Sequence, residues 1–142
     1  TDLTILDAIA TRVEAATDPA GYTLRKCYAT PPESLPVTPC AVLFPGDDSI
    51  TIGNGNRTTV LTVAVRLYLL PIPRMEDKYR DVYTWRAWLR TAFDGAVTIS
   101  GNAAQVAVVS TTLGTDTYAD QEYLTVEASA EVTVFDTVAF TA

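Results

Sequence analysis

A chain of 142 residues, nearly half of them apolar, is long enough for a single core that buries about two thirds of the surface its unfolded form exposes. Ten basic residues, scattered rather than blocked, face seventeen acidic ones for a net charge of −7, which disfavours direct binding to nucleic-acid phosphates. No apolar run approaches the roughly 18 residues of a membrane span, and with no histidine at all, Ser–His–Asp and Cys–His catalysis and imidazole metal ligation are excluded.

Residues 2–16 read as a first helix, capped by Thr1 or Asp2, with Ile5, Leu6, Ile9 and Val13 at helical spacing and Asp18–Pro19 and Gly21 ending it. No basic stretch followed by an apolar one marks a signal peptide, and Thr1 is expected to follow a removed initiator methionine. Residues 22–29 have the character of an edge or partly exposed strand. Residues 30–39 hold four prolines and should form an extended connection. A short strand over 40–44 should stop at Pro45–Gly46, followed by another over 49–52 and an Asn–Gly turn within residues 53–56.

Residues 57–69 are the expected centre of the sheet: Leu61, Val63, Val65, Leu67 and Leu69 make a wholly aliphatic face, alternating with Val60, Thr62, Ala64, Arg66 and Tyr68. With 40–44 and 49–52 they should form an antiparallel meander. After the proline-broken stretch 71–73, residues 76–94 show helical spacing. One stripe carries Tyr79, Val82, Tyr83, Arg86, Leu89 and Phe93 and a second carries Trp85, Trp88 and Ala92, with Gly95 as the stop. Residues 96–99 read as a short strand, 100–102 as a turn and 105–112 as a strand, with 113–120 a polar loop. Residues 121–135 alternate without a break as a long strand hairpinned to 105–112, and 137–142 form a tail or a last short strand. The expected architecture is α+β in one domain over 1–142: an antiparallel or mixed sheet of about five to seven strands with the N-terminal helix and a long central helix packed on it.

Candidate chemistry is sparse. Asp47–Asp48 after Pro–Gly reads as a solvated turn before it reads as a metal or acid–base pair. The Gly53-x-Gly55 segment lacks the Lys–Ser/Thr of a phosphate-binding loop and precedes a strand. Asn56–Arg57–Thr58 fits a glycosylation sequon, which matters only in a secreted eukaryotic protein. Cys27 and Cys40, without histidine, cannot build a four-ligand zinc site; they read as free buried thiols or else as a disulfide. No catalytic residue, cofactor or metal is expected. Trp85 and Trp88 belong either to the core or, since the other stripe already faces the sheet, to an oligomer interface. The loops carrying Ile72 and Met75, and Thr115, Asp116 and Tyr118, are expected to project and contact partners, so that removing 115–119 should leave folding intact.

The order of helix, strands, proline-rich connection, Phe44–Pro45–Gly46, the strand TVLTVAVRLYLLP, the helix YTWRAWLRTAF and the closing TYADQEYLTVEASAEVTV resembles the tail terminator proteins of long-tailed bacteriophages over nearly the whole chain. The resemblance lies in element order and residue texture and carries over no active-site residue. It implies a virion subunit, present in the host cytoplasm during assembly. Such a subunit forms a homo-oligomer, usually hexameric, at the head-proximal end of the tail, meeting the tail tube protein and the head-completion or stopper protein. DNA would pass through without specific binding, and six copies at −7 each would carry about −42, which discourages the duplex from adhering. The alternatives are another neck or tail component, such as a head-completion or tail-tube subunit, and a small acidic enzyme acting through Asp47, Asp48, Tyr118 or Asp120.

Overall fold

The computed structural model describes residues 2–16, 18–19, 23–53, 55–71, 81–93 and 105–137. Helix α1 (Asp2–Ala15) buries Ile5, Leu6, Ile9, Ala10 and Val13, the stripe its spacing requires. Strands β1 (Lys26–Tyr28), β2 (Cys40–Ile52) and β3 (Asn56–Pro71) precede helix α2 (Asp81–Thr91), and the hairpin β4 (Gln105–Tyr118) and β5 (Gln121–Thr137) follows it. The fold is α+β, with a five-stranded mixed sheet in the order β1-β2-β3-β5-β4. β1 pairs parallel to β2 and every other pairing is antiparallel.

β3 is central, as its alternation demands. Leu61, Val63, Val65 and Leu67 point into the core shared with both helices, as do Ala41 and Leu43 of β2 and Leu124, Val126, Ala128, Ala130 and Val132 of β5. Fully burying each of the larger aliphatic side chains contributes about 1.5–3 kcal/mol. α1 lies against β1, and α2 against β4 and β5. Arg12 of α1 donates from Nε to the Ala92 carbonyl at 3.0 Å, satisfying an orphan acceptor just beyond the end of α2 and linking α1 to it.

Four expectations are corrected. Pro45–Gly46 does not stop a strand: β2 continues to Ile52 through a bulge, with Gly46 and Asp47 opposite Thr62 alone, so the three-strand meander is one hairpin. Proline and glycine are tolerated at a bulge, and a Cβ on Gly46 would stand 3.2 Å from the Thr62 carbonyl oxygen. Residues 113–118 are not a loop; β4 runs through them to Tyr118, and only Ala119 and Asp120, at φ 50° and 66°, turn the chain. This two-residue, positive-φ connection is the geometry of a tight hairpin, here built without glycine. β1 is three residues long rather than eight, although it is an edge strand. Finally, α2 has one broad apolar face, not two: Val82, Trp85, Trp88, Leu89, Ala92 and Phe93 fall within an arc of about 140° at about 100° per residue and are all buried, while Tyr83 is exposed. Of the expected helix over 76–94, residues 76–80 and 94 lie outside the described residues, as do the strand and turn expected at 96–102 and the tail beyond residue 137.

Candidate functional site

On the sheet face opposite the helices, the register sets Arg66 of β3 directly across from Glu127 of β5 and places Asp116 of β4 next to Tyr123. Arg66 Nη2 donates to Glu127 Oε1 at 3.0 Å, and Nη1 donates to Asp116 Oδ2 at 2.9 Å. The Tyr68 hydroxyl donates to that same Asp116 oxygen at 2.7 Å. The guanidinium lies 4.7 Å from the centre of the Phe44 ring. Strands β2, β3, β4 and β5 are thus tied across their open face by one cation. Tyr68 also meets Tyr118 and Tyr123 edge to face, at 5.3 and 5.6 Å between centroids. The Tyr118 hydroxyl donates to the Pro32 carbonyl, so the proline-rich connection caps this end of the face together with Leu35.

The electrostatics fix protonation states instead of poising them. Burial lowers the Arg66 pKa, but bonds to Tyr68 and Glu127 outweigh it and the guanidinium is held charged. Burial, then the bond to Asp116, pushes the Tyr68 phenol upward against the opposing effect of Arg66, so it stays neutral. Thr112, Gly114, Thr125 and the Arg66–Asp116–Glu127 group line a shallow depression of about 290 Å³. Both carboxylates are engaged by the cation, an arrangement suited to bracing and unsuited to a general acid or base.

The second notable region is the end of the sheet reached by β2, β3 and β5, where every residue from Pro45 to Gly53 is exposed. Ile50 is 55% and Ile52 63% exposed, and Phe135 of β5 is 66% exposed. By register, Ile50 and Ile52 share the helix-side parity of Leu61, beyond the reach of the helices, whereas Phe135 faces the other way. Across the sheet, exposed Val109 sits at a bulge in β4, beside a depression of about 310 Å³ that Arg90 of α2 also lines.

Trp85 and Trp88, 1% and 9% exposed, form an edge-to-face pair 5.3 Å apart within the subunit's own core, the first of the two places the sequence left open for them. Thr115, Asp116 and Tyr118 lie on β4 instead of a projecting loop; Thr115 is exposed, while the other two belong to the bracing cluster. Removing 115–119 would therefore cut structure. Ile72 and Met75 lie outside the described residues. Asp47 and Asp48 are exposed at the β2 bulge, whereas Tyr118 and Asp120 sit at the opposite end of the sheet, about 35 Å away along β5, so the four never converge. Cys27 faces the helix-side core and Cys40 the aromatic cluster on the other face; both are free thiols, and the sheet between them rules out the disulfide. Gly53 and Gly55 form the β2–β3 turn, with Gly55 at φ 75° and the Gly53 N–H donating to the Asn56 carbonyl. Among the described residues, no three His, Cys, Asp or Glu side chains come together as a metal ion would need, and no helix is long and apolar enough to cross a membrane.

Neither the bracing cluster nor the bare end shows in the sequence pattern alone. Arg66 is the lone charge in the otherwise neutral stretch 58–71, a signal that a carboxylate faces it; its partner Asp116 lies in a stretch whose composition reads as loop. No protein-family model and no curated protein matches the chain.

Proposed function

We propose that the protein is a structural subunit of a long-tailed bacteriophage, of the tail terminator type: a homo-oligomeric closed assembly, most simply of six copies, that caps the tail tube, ends its polymerisation and offers a surface to the head-completion or stopper protein. The observation that carries this reading is the bare end of the sheet, where Ile50, Ile52 and Phe135 stand exposed on ordered β-structure instead of on loops. Apolar side chains exposed to water are a standing cost that contact with another subunit removes. The reading includes a sheet of about five to seven strands and a central helix spanning 76–94, wider than the described portion. It places the protein in the virion, with DNA passing through the acidic ring without specific binding.

The long β4 edge, uncovered among the described residues, favours a second reading within the same class, a tube or other neck component, because such an edge is also what a polymerising subunit presents. Assembly of tails without this protein separates the two by electron microscopy. Overlong tubes that fail to join heads are expected of a terminator, and absence of tubes would mean a tube subunit. Tails of normal length that join heads would overturn both.

A further inference from the structure

Among the described residues, both lateral edges of the sheet are open where they are longest. β1 covers β2 only at Cys40–Val42, which leaves residues 45–52 without an outer neighbour among the described residues. β4 is the opposite edge for all of its length among the described residues. Natural edge strands are usually blunted by lysine, proline or inward charge. β4, QVAVVSTTLGTDTY, has no lysine or proline, one acid engaged by Arg66, and only the bulge at Val109 to interrupt it. Such an edge is built to be covered.

We infer that the two edges cover each other between copies of this chain: the 45–52 segment of β2 from one subunit lies antiparallel along β4 of the next, with Asp47 and Asp48 against Arg90 and with Ile50 against Val109. Three observations agree on this. The directions are compatible, because β2 and β4 run antiparallel within the sheet and continuing the sheet sideways preserves that. The faces are compatible, because Asp48 and Ile50 carry helix-side parity and Arg90 belongs to a helix on that side. The charges are complementary: two exposed carboxylates flank the apolar segment on one edge, and an exposed guanidinium lines the Val108–Val109 depression on the other. Ile50 stands at the level of Val134 and Val109 beside Ala130 and Ser129, so the pairing takes a stagger of about four residues, of the kind a sheet closing on itself carries. The contact is heterologous, one patch against a different patch, and therefore closes into a ring or runs on as a filament. This deepens the oligomeric reading above by naming the seam.

Charge reversal tests it on the full chain. Light scattering of the wild type is expected to show an assembly many times heavier than the 15.3 kDa subunit. D47R/D48R and R90E are each expected to weaken association by about tenfold or more, and combining them to restore it. All altered side chains are exposed, so circular dichroism should confirm that the variants fold. As a second measurement, I50C/V109C is expected to give a ladder of cross-linked oligomers with a bismaleimide, while either single variant stops at dimer, Cys27 and Cys40 being buried. A wild-type monomer at high micromolar concentration, an assembly indifferent to both reversals, or a double reversal that restores nothing would overturn the seam. The indifferent assembly would still leave the tail reading standing, since that is decided by tail length.

Discussion

Arg66 illustrates how one side chain couples three neighbouring strands. It is about a quarter exposed, as are its carboxylate partners to a somewhat greater degree, so solvent screens the pairs and their worth is below that of a dry salt bridge. Its removal nevertheless leaves Asp116 and Glu127 facing one another without a cation. Arg66→Ala is expected to lower unfolding free energy by about 1–2 kcal/mol in urea titrations, with Asp116→Asn losing less because Tyr68 can still donate to the amide oxygen. The cysteines give a pH dependence. Burial, with Glu14 and Cys40 adding, pushes the Cys27 thiol to about 12, and burial alone pushes Cys40 to about 11. The folded state binds these protons more tightly than the unfolded chain, so stability from this source is complete below about pH 9 and is lost as pH rises through 11 to 12. Tyr68 acts in the same alkaline direction. Chemical denaturation at stepped pH should show that decline, and a thiol reagent at neutral pH should react only as fast as the protein unfolds.

At the scale of elements, α2 is anchored by Trp85. Trp85→Ala removes a fully buried indole and its edge-to-face partner contact, an expected loss of about 3–5 kcal/mol, with the remaining indole emission shifting red as Trp88 becomes wetter. Deleting 115–119 takes away the last rungs of the β4–β5 ladder, Asp116 and Tyr118 with them, and is expected to yield insoluble protein. Legibility followed the strength of periodic signals. β3 and β5 alternate over long spans with one dry face, and α1 has a clean helical stripe, so each was readable from residues alone. β2 was not, because Pro–Gly is punctuation almost everywhere except at a bulge, and the bulge exists only through its partner Thr62. The second half of β4 alternates between polar residues on both faces, leaving no hydrophobic pattern to read. Helical spacing alone groups Tyr79 and Tyr83 with the sheet-facing residues and sets the tryptophans on a separate stripe; with Tyr83 in water, the indoles become the core.

For the whole molecule, the distribution of packing predicts a gradient of local stability. β3 and β5 lie between neighbours and over the helices, whereas 45–53 has sheet partners on one side and solvent elsewhere. Amide exchange in the dissociated subunit is expected to be slowest in 61–68 and 124–132 and fastest in 45–53, and protection of 45–53 and of β4 should rise together on assembly. Protection rising in only one of these segments would point to a partner other than the opposite edge.

The position of β3 has a mechanical consequence. It runs 16 residues with antiparallel neighbours along both sides, and its inter-strand hydrogen bonds lie across its axis. A pull along the strand must therefore strain the rungs of both ladders together, in shear, while a pull across the sheet can open them one at a time like a zipper. The subunit is stiff in one direction and weak in the perpendicular one, so its resistance to load depends on how the strands are oriented to the force.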